Sequence, residues 1–387
     1  MNLLLTFTHN ITLERLHRFG LIYREIILYQ DLIKRNVDVG FLTYGDHKDR
    51  EYSDIIKPIK IFPISKLIKS KIPFLRQIKI LILPIKLKKL FSSVDIIKTM
   101  QVHGSYIGIV VKILYGKKLI IRAGFEWLKT WAYVANKRTI KAYIYYLLRY
   151  TFLFINELIA YKLADGIILT TDHDIKFIVK CFKLKKKYKK NKIQLIYNSV
   201  DTELFKPIPL PKKDKHILWI GRFRPGKNIW NILETFKSLR DFQLDLVGNG
   251  RYEELMKKRI NNSGIKVNFL GIFPNTKIPE IINQYDIFIL PSEAEGNPKV
   301  LLEAMSCGVA CIGSDIKGIN NIISHKINGY LCGLSPESIK NAILTLYNDN
   351  QLRRKLGKNA RSYVMENCSF DIASEKEYSF YKEILKK

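Results

Sequence analysis

Two glutamates, Glu295 and Glu303, stand with seven residues between them in the stretch EAEGNPKVLLEAMSCG. The intervening Gly296, Asn297 and Pro298 read as a helix start, with Asn297 as N-cap, Pro298 at the first helical position and Gly308 as the stop. Such a start leaves backbone N–H groups near Lys299 and Val300 without helical acceptors, and the helix dipole makes that tip attractive to an anion, phosphate above all. The carboxylates would repel a phosphate, so they suit hydrogen bonds from hydroxyl groups on either side of it. A nucleotide-sugar satisfies all three demands: diphosphate at the tip, ribose on one side, sugar on the other. A surface helix with a capped start and solvated glutamates satisfies the same spacing equally, and spacing alone does not choose.

The elements that must hold these residues are legible around them. Residues 287–290 form an apolar run short enough for a buried strand, closed by Pro291 and Ser292. Val300, Leu301, Ala304 and Met305 give the following helix an apolar face, and residues 309–312 read as the next strand. This strand–loop–helix–strand unit puts the loop at the carboxyl end of a strand, where open parallel sheets bind ligands. Residues 3–7, 21–34 and 37–43 alternate strand, helix and strand at the other end of the chain, again the pattern of a doubly wound α/β domain.

The stretch PSEAEGNPKVLLEAMSCG resembles the signature of retaining glycosyltransferases of family 4. The likeness extends through GSDIKGINNIISHKINGYL, ILWIGRFRPGKN and IYNSVDTELFKP. It implies a GT-B fold: two doubly wound Rossmann-like domains facing across a cleft, over residues 1–197 and 198–366, with a terminal helix at 367–387 crossing back to the first. It also implies site roles. Glu295 would contact the donor sugar and Glu303 the ribose hydroxyls. Arg222 and Lys227, on the turn that opens at Gly221, would clamp the diphosphate as charge grows on the leaving group. The backbone near Phe273 would meet the nucleobase, and Gly296, Asn297, Pro298, Lys299 and Val300 would surround the phosphates. Glu295, Arg222 and Lys227 are the catalytic candidates. The resemblance implies no metal and no cofactor, the nucleoside diphosphate sugar being a co-substrate. Attack would come from the leaving-group face, with the departing phosphate taking the acceptor proton.

The acceptor side departs from the family pattern. Many relatives carry a glycine pair in the first loop, where this chain has Gly20 alone, with His9 and Asn10 nearby. The usual histidine–glycine pair after the strand read at residues 119–122 is replaced by Ala123–Gly124. His103 and Arg122 are the remaining candidates, one for the acceptor hydroxyl and one for an acceptor phosphate or carboxylate. The plainer alternatives are a structural histidine and an Arg122–Glu126 salt bridge.

Composition limits the rest. A chain of 387 residues suits two domains. Five cysteines without metal-type spacing argue for a reducing compartment. Residues 1–8 lack a basic leader, so a cytoplasmic location is expected. Net charge is +30 and uneven: residues 1–200 hold 37 basic and 14 acidic side chains. Residues 55–94 hold ten basic residues and no acidic one among Ile, Leu and Phe, which suits an anionic membrane surface or, more plainly, lysine-rich solvated faces. Residues 143–161 are aromatic and apolar, but Arg149, Asn156 and Glu157 interrupt them, so an amphipathic helix is expected rather than a spanning one. The seven lysines of residues 183–192 read as a solvated loop, and no recognition motif supports nucleic acid as partner. The expected partners are a nucleotide-sugar donor and a lipid-linked or saccharide acceptor, in cell-envelope polysaccharide or glycolipid synthesis at the inner membrane face. A GT-B epimerase or phosphorylase, or a non-catalytic binding protein, remains open.

Overall fold

Short runs of Ile, Leu, Val and Phe bounded by turn residues become the strands, and the inner ones are buried on both faces while the edge strands are partly open, as parallel sheets require. The computed structural model describes residues 1–124, 140–261 and 263–386. They divide into two compact units: residues 1–18, 26–196 and 374–387 form one, and residues 19–25 and 197–373 form the other.

The first unit contains β1 (Asn2–Thr6), β2 (Asp38–Thr43), β3 (Lys60–Pro63), β4 (Ile96–Thr99), β5 (Lys118–Ala123), β6 (Gly166–Leu169) and β7 (Ile193–Leu195). They pair in parallel in the order β3-β2-β1-β4-β5-β6-β7. Strand order reverses between β1 and β4, so the gap beyond their carboxyl ends is a topological switch point.

The second unit contains β8 (His216–Ile220), β9 (Gln243–Val247), β10 (Lys266–Gly271), β11 (Ile287–Leu290), β12 (Ala310–Ser314) and β13 (Tyr330–Cys332). Their order is β10-β9-β8-β11-β12-β13, also parallel, with the switch between β8 and β11. Trp219, Phe236, Leu246 and Ile343 fill the core on one face of this sheet, and Leu218, Phe288, Leu301 and Met305 the core on the other.

Each sheet also buries a charge. In the second, the carboxylate of Asp245 on β9 is wholly buried. It accepts from Tyr285 Oη at 2.6 Å and Asn268 Nδ2 at 2.7 Å, and meets His216 Nδ1 at 2.9 Å, tying β8, β9 and β10 together. In the first, Lys98 on β4 is fully buried and pairs with Glu377 of the helix Phe370–Lys386, which also takes Arg122 of β5 and the Tyr381 hydroxyl. The Lys98 ammonium lies 4.8 Å from the Tyr29 ring centroid. Burial pushes the Glu377 carboxyl up, but the charges of Lys98 and Arg122 and the hydrogen bonds from Lys98 and Tyr381 outweigh it and hold it below the usual range.

Two expectations are corrected. The first loop, expected to carry His9, Asn10 and Gly20, is not a loop throughout, because Leu13–Arg18 is helical. Its first N–H groups, Leu13 and Glu14, donate to the buried carboxylate of Asp49, a cap supplied from 36 and 35 residues away. The lysine run is not a plain solvated loop either: Lys185–Lys189 is helical, and Lys187 donates to the Ala164 carbonyl. Burial, then the neighbouring Lys192 charge, lowers its ammonium to about 8.

Glu377→Ala strands the buried Lys98 ammonium and is expected to cost about 3–5 kcal/mol, read from urea unfolding of the full chain. The folded Glu377 pKa lies below the unfolded one. Its stabilisation is therefore present above about pH 4.3 and lost as pH falls through the lower folded value, so wild type and variant converge in acid.

Candidate functional site

At the switch point of the second unit, two loops meet. The loop after β8 carries Gly221 to Asn228, and the loop after β11 carries Glu293 to Pro298. They are joined by Glu293 N donating to Gly226 O at 3.0 Å. Beside that bond the Lys227 ammonium pairs with the Glu295 carboxylate, each side chain 10% exposed. The backbone of Glu295 and Gly296 is braced from outside by Gly318. Its φ is +105°, and a Cβ there would stand 2.4 Å from both carbonyl oxygens, so only glycine allows this approach.

The helix after this loop is Lys299–Ser306, and its start corrects the sequence reading. Pro298, at φ −72° and ψ 109°, occupies the N-cap position rather than the first helical one, and no side chain caps the helix. Asn297 serves elsewhere. Its Oδ1 accepts from Asn198 N at 3.0 Å, and its backbone oxygen accepts from Asn198 Nδ2 at 2.6 Å. A side chain already committed to Asn198 cannot cap the tip. The site therefore keeps a helix end without a side-chain acceptor, close after the Lys227–Glu295 pair.

Glu303 lies one turn further along this helix and is 3% exposed. Its Oε1 accepts from Asn275 Nδ2 at 3.1 Å and stands 3.6 Å from Arg24 Nη1. Glu25, next to Arg24, accepts from Lys299 Nζ at 2.8 Å. Glu303 thus packs close to Tyr23, Arg24, Asp201 and Asn275. Sequence reasoning gave no role to Arg24, Asn198 or Asn275; residues 198–207 lay inside a recognised motif, and residues 274–275 sit just after Phe273.

Residues 19–25 belong to this unit, which re-places one acceptor-side candidate. Gly20 lies against Phe273: its carbonyl accepts from Asn275 N at 3.2 Å, and a Cβ on it would stand 2.9 Å from Phe273 O. Arg222 lies 4.6 Å over the neighbouring Phe19 ring. The structure therefore brings Gly20 to the side expected for the donor base.

The other acceptor-side candidates are in the first unit. His9 and Asn10 follow β1, and His103 follows β4, so all three are at that sheet's switch point. His9 N donates to His103 O at 3.1 Å, and Asn10 Oδ1 accepts from Arg76 Nη2 at 2.8 Å. Burial, then the charges of Arg149 and His9, pushes the His103 imidazole down to about 4. Burial and Arg76 lower His9. Both shifts favour the neutral ring and make each histidine a weaker base than a free imidazole. Arg122 is turned into the Glu377 pair described above. Glu126, its expected partner, lies outside the described residues.

Glu295→Ala leaves the largely buried Lys227 ammonium without this carboxylate. The expected loss is about 1–3 kcal/mol in chemical denaturation, with Glu295→Gln losing less because an amide oxygen still accepts.

Residues 200–363 match the model of the glycosyl transferases group 1. The chain is 31% identical over 205 residues, 50% of this chain and 53% of the other, to N-acetyl-alpha-D-glucosaminyl L-malate synthase of Bacillus anthracis. It is 30% identical over 193 residues, 45% of this chain and 50% of the other, to UDP-Gal:alpha-D-GlcNAc-diphosphoundecaprenol alpha-1,3-galactosyltransferase of Escherichia coli. The chain thus spans about half the length of the curated relatives it matches. In fold it is similar to sucrose-phosphate synthase of Thermosynechococcus elongatus, with a TM-score of 0.75, 18% identity and 99% of both chains covered. Residues 200–363 thus carry a glycosyl transferases group 1 domain, and the two parallel-sheet Rossmann-like units have the GT-B fold of solved glycosyltransferases.

Proposed function

We propose that the protein transfers a sugar from a nucleoside diphosphate sugar to a hydroxyl of a lipid-linked or saccharide acceptor in cell-envelope polysaccharide or glycolipid synthesis, with retention of configuration and without a metal ion. The observation that carries the reading is the Lys227–Glu295 pair beside a helix end that no side chain caps. In the free site the two charges neutralise each other. A diphosphate at the tip of Lys299–Ser306 meets backbone N–H groups and the helix dipole, and draws the Lys227 ammonium to itself. Glu295 is then released to accept from sugar hydroxyls.

Glu303, oriented by Asn275 and Arg24, accepts from the ribose hydroxyls. Arg222 and Lys227 stabilise the charge that grows on the leaving phosphate, the task a divalent ion performs in other sites. The departing phosphate takes the acceptor proton. The relative from Escherichia coli uses, by its name, a UDP-sugar and a diphosphoundecaprenol-linked acceptor. A uridine nucleotide and a lipid-linked acceptor at the inner membrane face are the corresponding choices here.

Titration calorimetry with UDP and UDP-sugars tests the site directly. Glu303→Ala is expected to weaken nucleotide binding about tenfold to a hundredfold, by removing charge-assisted hydrogen bonds. Lys227→Ala and Arg222→Ala are expected to lower turnover about 10²–10³-fold with a smaller change in donor affinity. Activity should survive a chelator, and the product's anomeric configuration by NMR should match the donor's. Loss of activity on chelation with recovery on adding a divalent ion overturns the metal-free assignment, and an inverted product overturns retention.

A further inference from the structure

Helix Pro73–Lys86 of the first unit is apolar on two sides. Ile80 and Leu83 are buried, while Phe74, Leu75, Ile78, Leu81, Ile82 and Ile85 are exposed. The exposed positions fall at steps of three and four, which draws one stripe along the outer surface. Phe74 is 72% and Ile85 62% exposed, more than a core-facing helix would leave to water. Helix Ile140–Leu163 repeats the pattern: Ile144, Leu148, Phe152, Ile155 and Ile159 are exposed, while Leu153, Ala160 and Tyr161 are buried. The helix Ser105–Tyr115 contacts both of these helices and exposes Ile113 and Leu114 near its end. Its Tyr115 hydroxyl donates to Pro84 O at 3.1 Å. Monomeric soluble proteins rarely expose apolar surface on this scale.

Charge selects the occupant. Lys66, Lys69, Lys71, Lys86, Lys88 and Lys89 are exposed around the first stripe, and residues 55–94 contain no acidic side chain. A second copy of this chain would bring the same cations against themselves, which like-charge repulsion opposes. Among the described residues no helix is long and apolar enough to cross a membrane. An anionic bilayer offers hydrocarbon to the stripes and negative headgroups to the lysines, with the helices lying in its surface.

We propose that helices Pro73–Lys86 and Ile140–Leu163, with the end of Ser105–Tyr115 between them, form one face that docks on an anionic lipid bilayer. The apolar side chains enter the interfacial layer, and the lysines at its rim meet the headgroups. This holds independently of the reaction the second unit performs.

Vesicle flotation of the full chain tests it, so failure here is distinct from failure of the sugar-transfer reading. The protein is expected to float with phosphatidylcholine–phosphatidylglycerol vesicles and not with phosphatidylcholine alone, and added salt should weaken the association. Phe74→Glu with Ile85→Glu, and separately Leu148→Glu with Phe152→Glu, should each reduce partition about tenfold or more. Ile327→Glu with Leu255→Glu, equally exposed residues of the second unit, should leave it unchanged. Circular dichroism checks that each variant is folded. No flotation with anionic vesicles, or flotation that neither helix pair affects, overturns the proposal. So does a dimer in sedimentation equilibrium that these same substitutions split.

Discussion

A parallel sheet covered on both faces has no room for uncompensated charge except at the ends of its strands, and the candidate site and the buried charges described above are arranged around that constraint. Strand order reverses once in each sheet, between β1 and β4 and between β8 and β11, and loops leaving in opposite directions open a gap at each reversal. Lys227 and Glu295 occupy the gap of the second unit, and His9 and His103 that of the first. These four candidate groups therefore sit on carboxyl-end loops whose bases are fixed by buried Leu, Ile and Phe.

The charges that do enter the sheets are treated differently from those at the gaps. Asp245 and Glu377 each hold several partners among the described residues and are wholly buried, so neither can change partner without leaving a stranded charge. Glu295 is held by Lys227 on a loop and keeps contact with solvent. Glu303 is intermediate: nearly buried, and oriented by an amide and an arginine. This graded restraint separates the charges locked inside the sheets from those at the candidate site.

How much could be read from the sequence depended on the range of the interaction. Strand 287–290, its proline stop and the helix ending at Gly308 were legible because each signal is local. The capping role expected of Asn297 failed because its side chain answers to Asn198, 99 residues away. Helix Leu13–Arg18 was hidden for the same reason, since Asp49 caps it from outside any local window. Lys98 was overlooked although it is the one charge in an apolar strand; its partner is 279 residues distant. The basic, apolar segment 55–94 was legible in composition, but not its division into one stripe for the core and one for the surface. That division depends on which neighbours cover the helix.

The Lys98–Glu377 pair also bears on how the chain is made. During translation residues 1–18 and 26–196 leave the ribosome long before residues 374–386, yet they belong to one unit with them. Until Glu377 emerges, the strand holding Lys98 would have to bury a naked ammonium. Domains usually fold in order of synthesis. Here the half made first must wait for the last helix, and the half made second can reach its native state ahead of it.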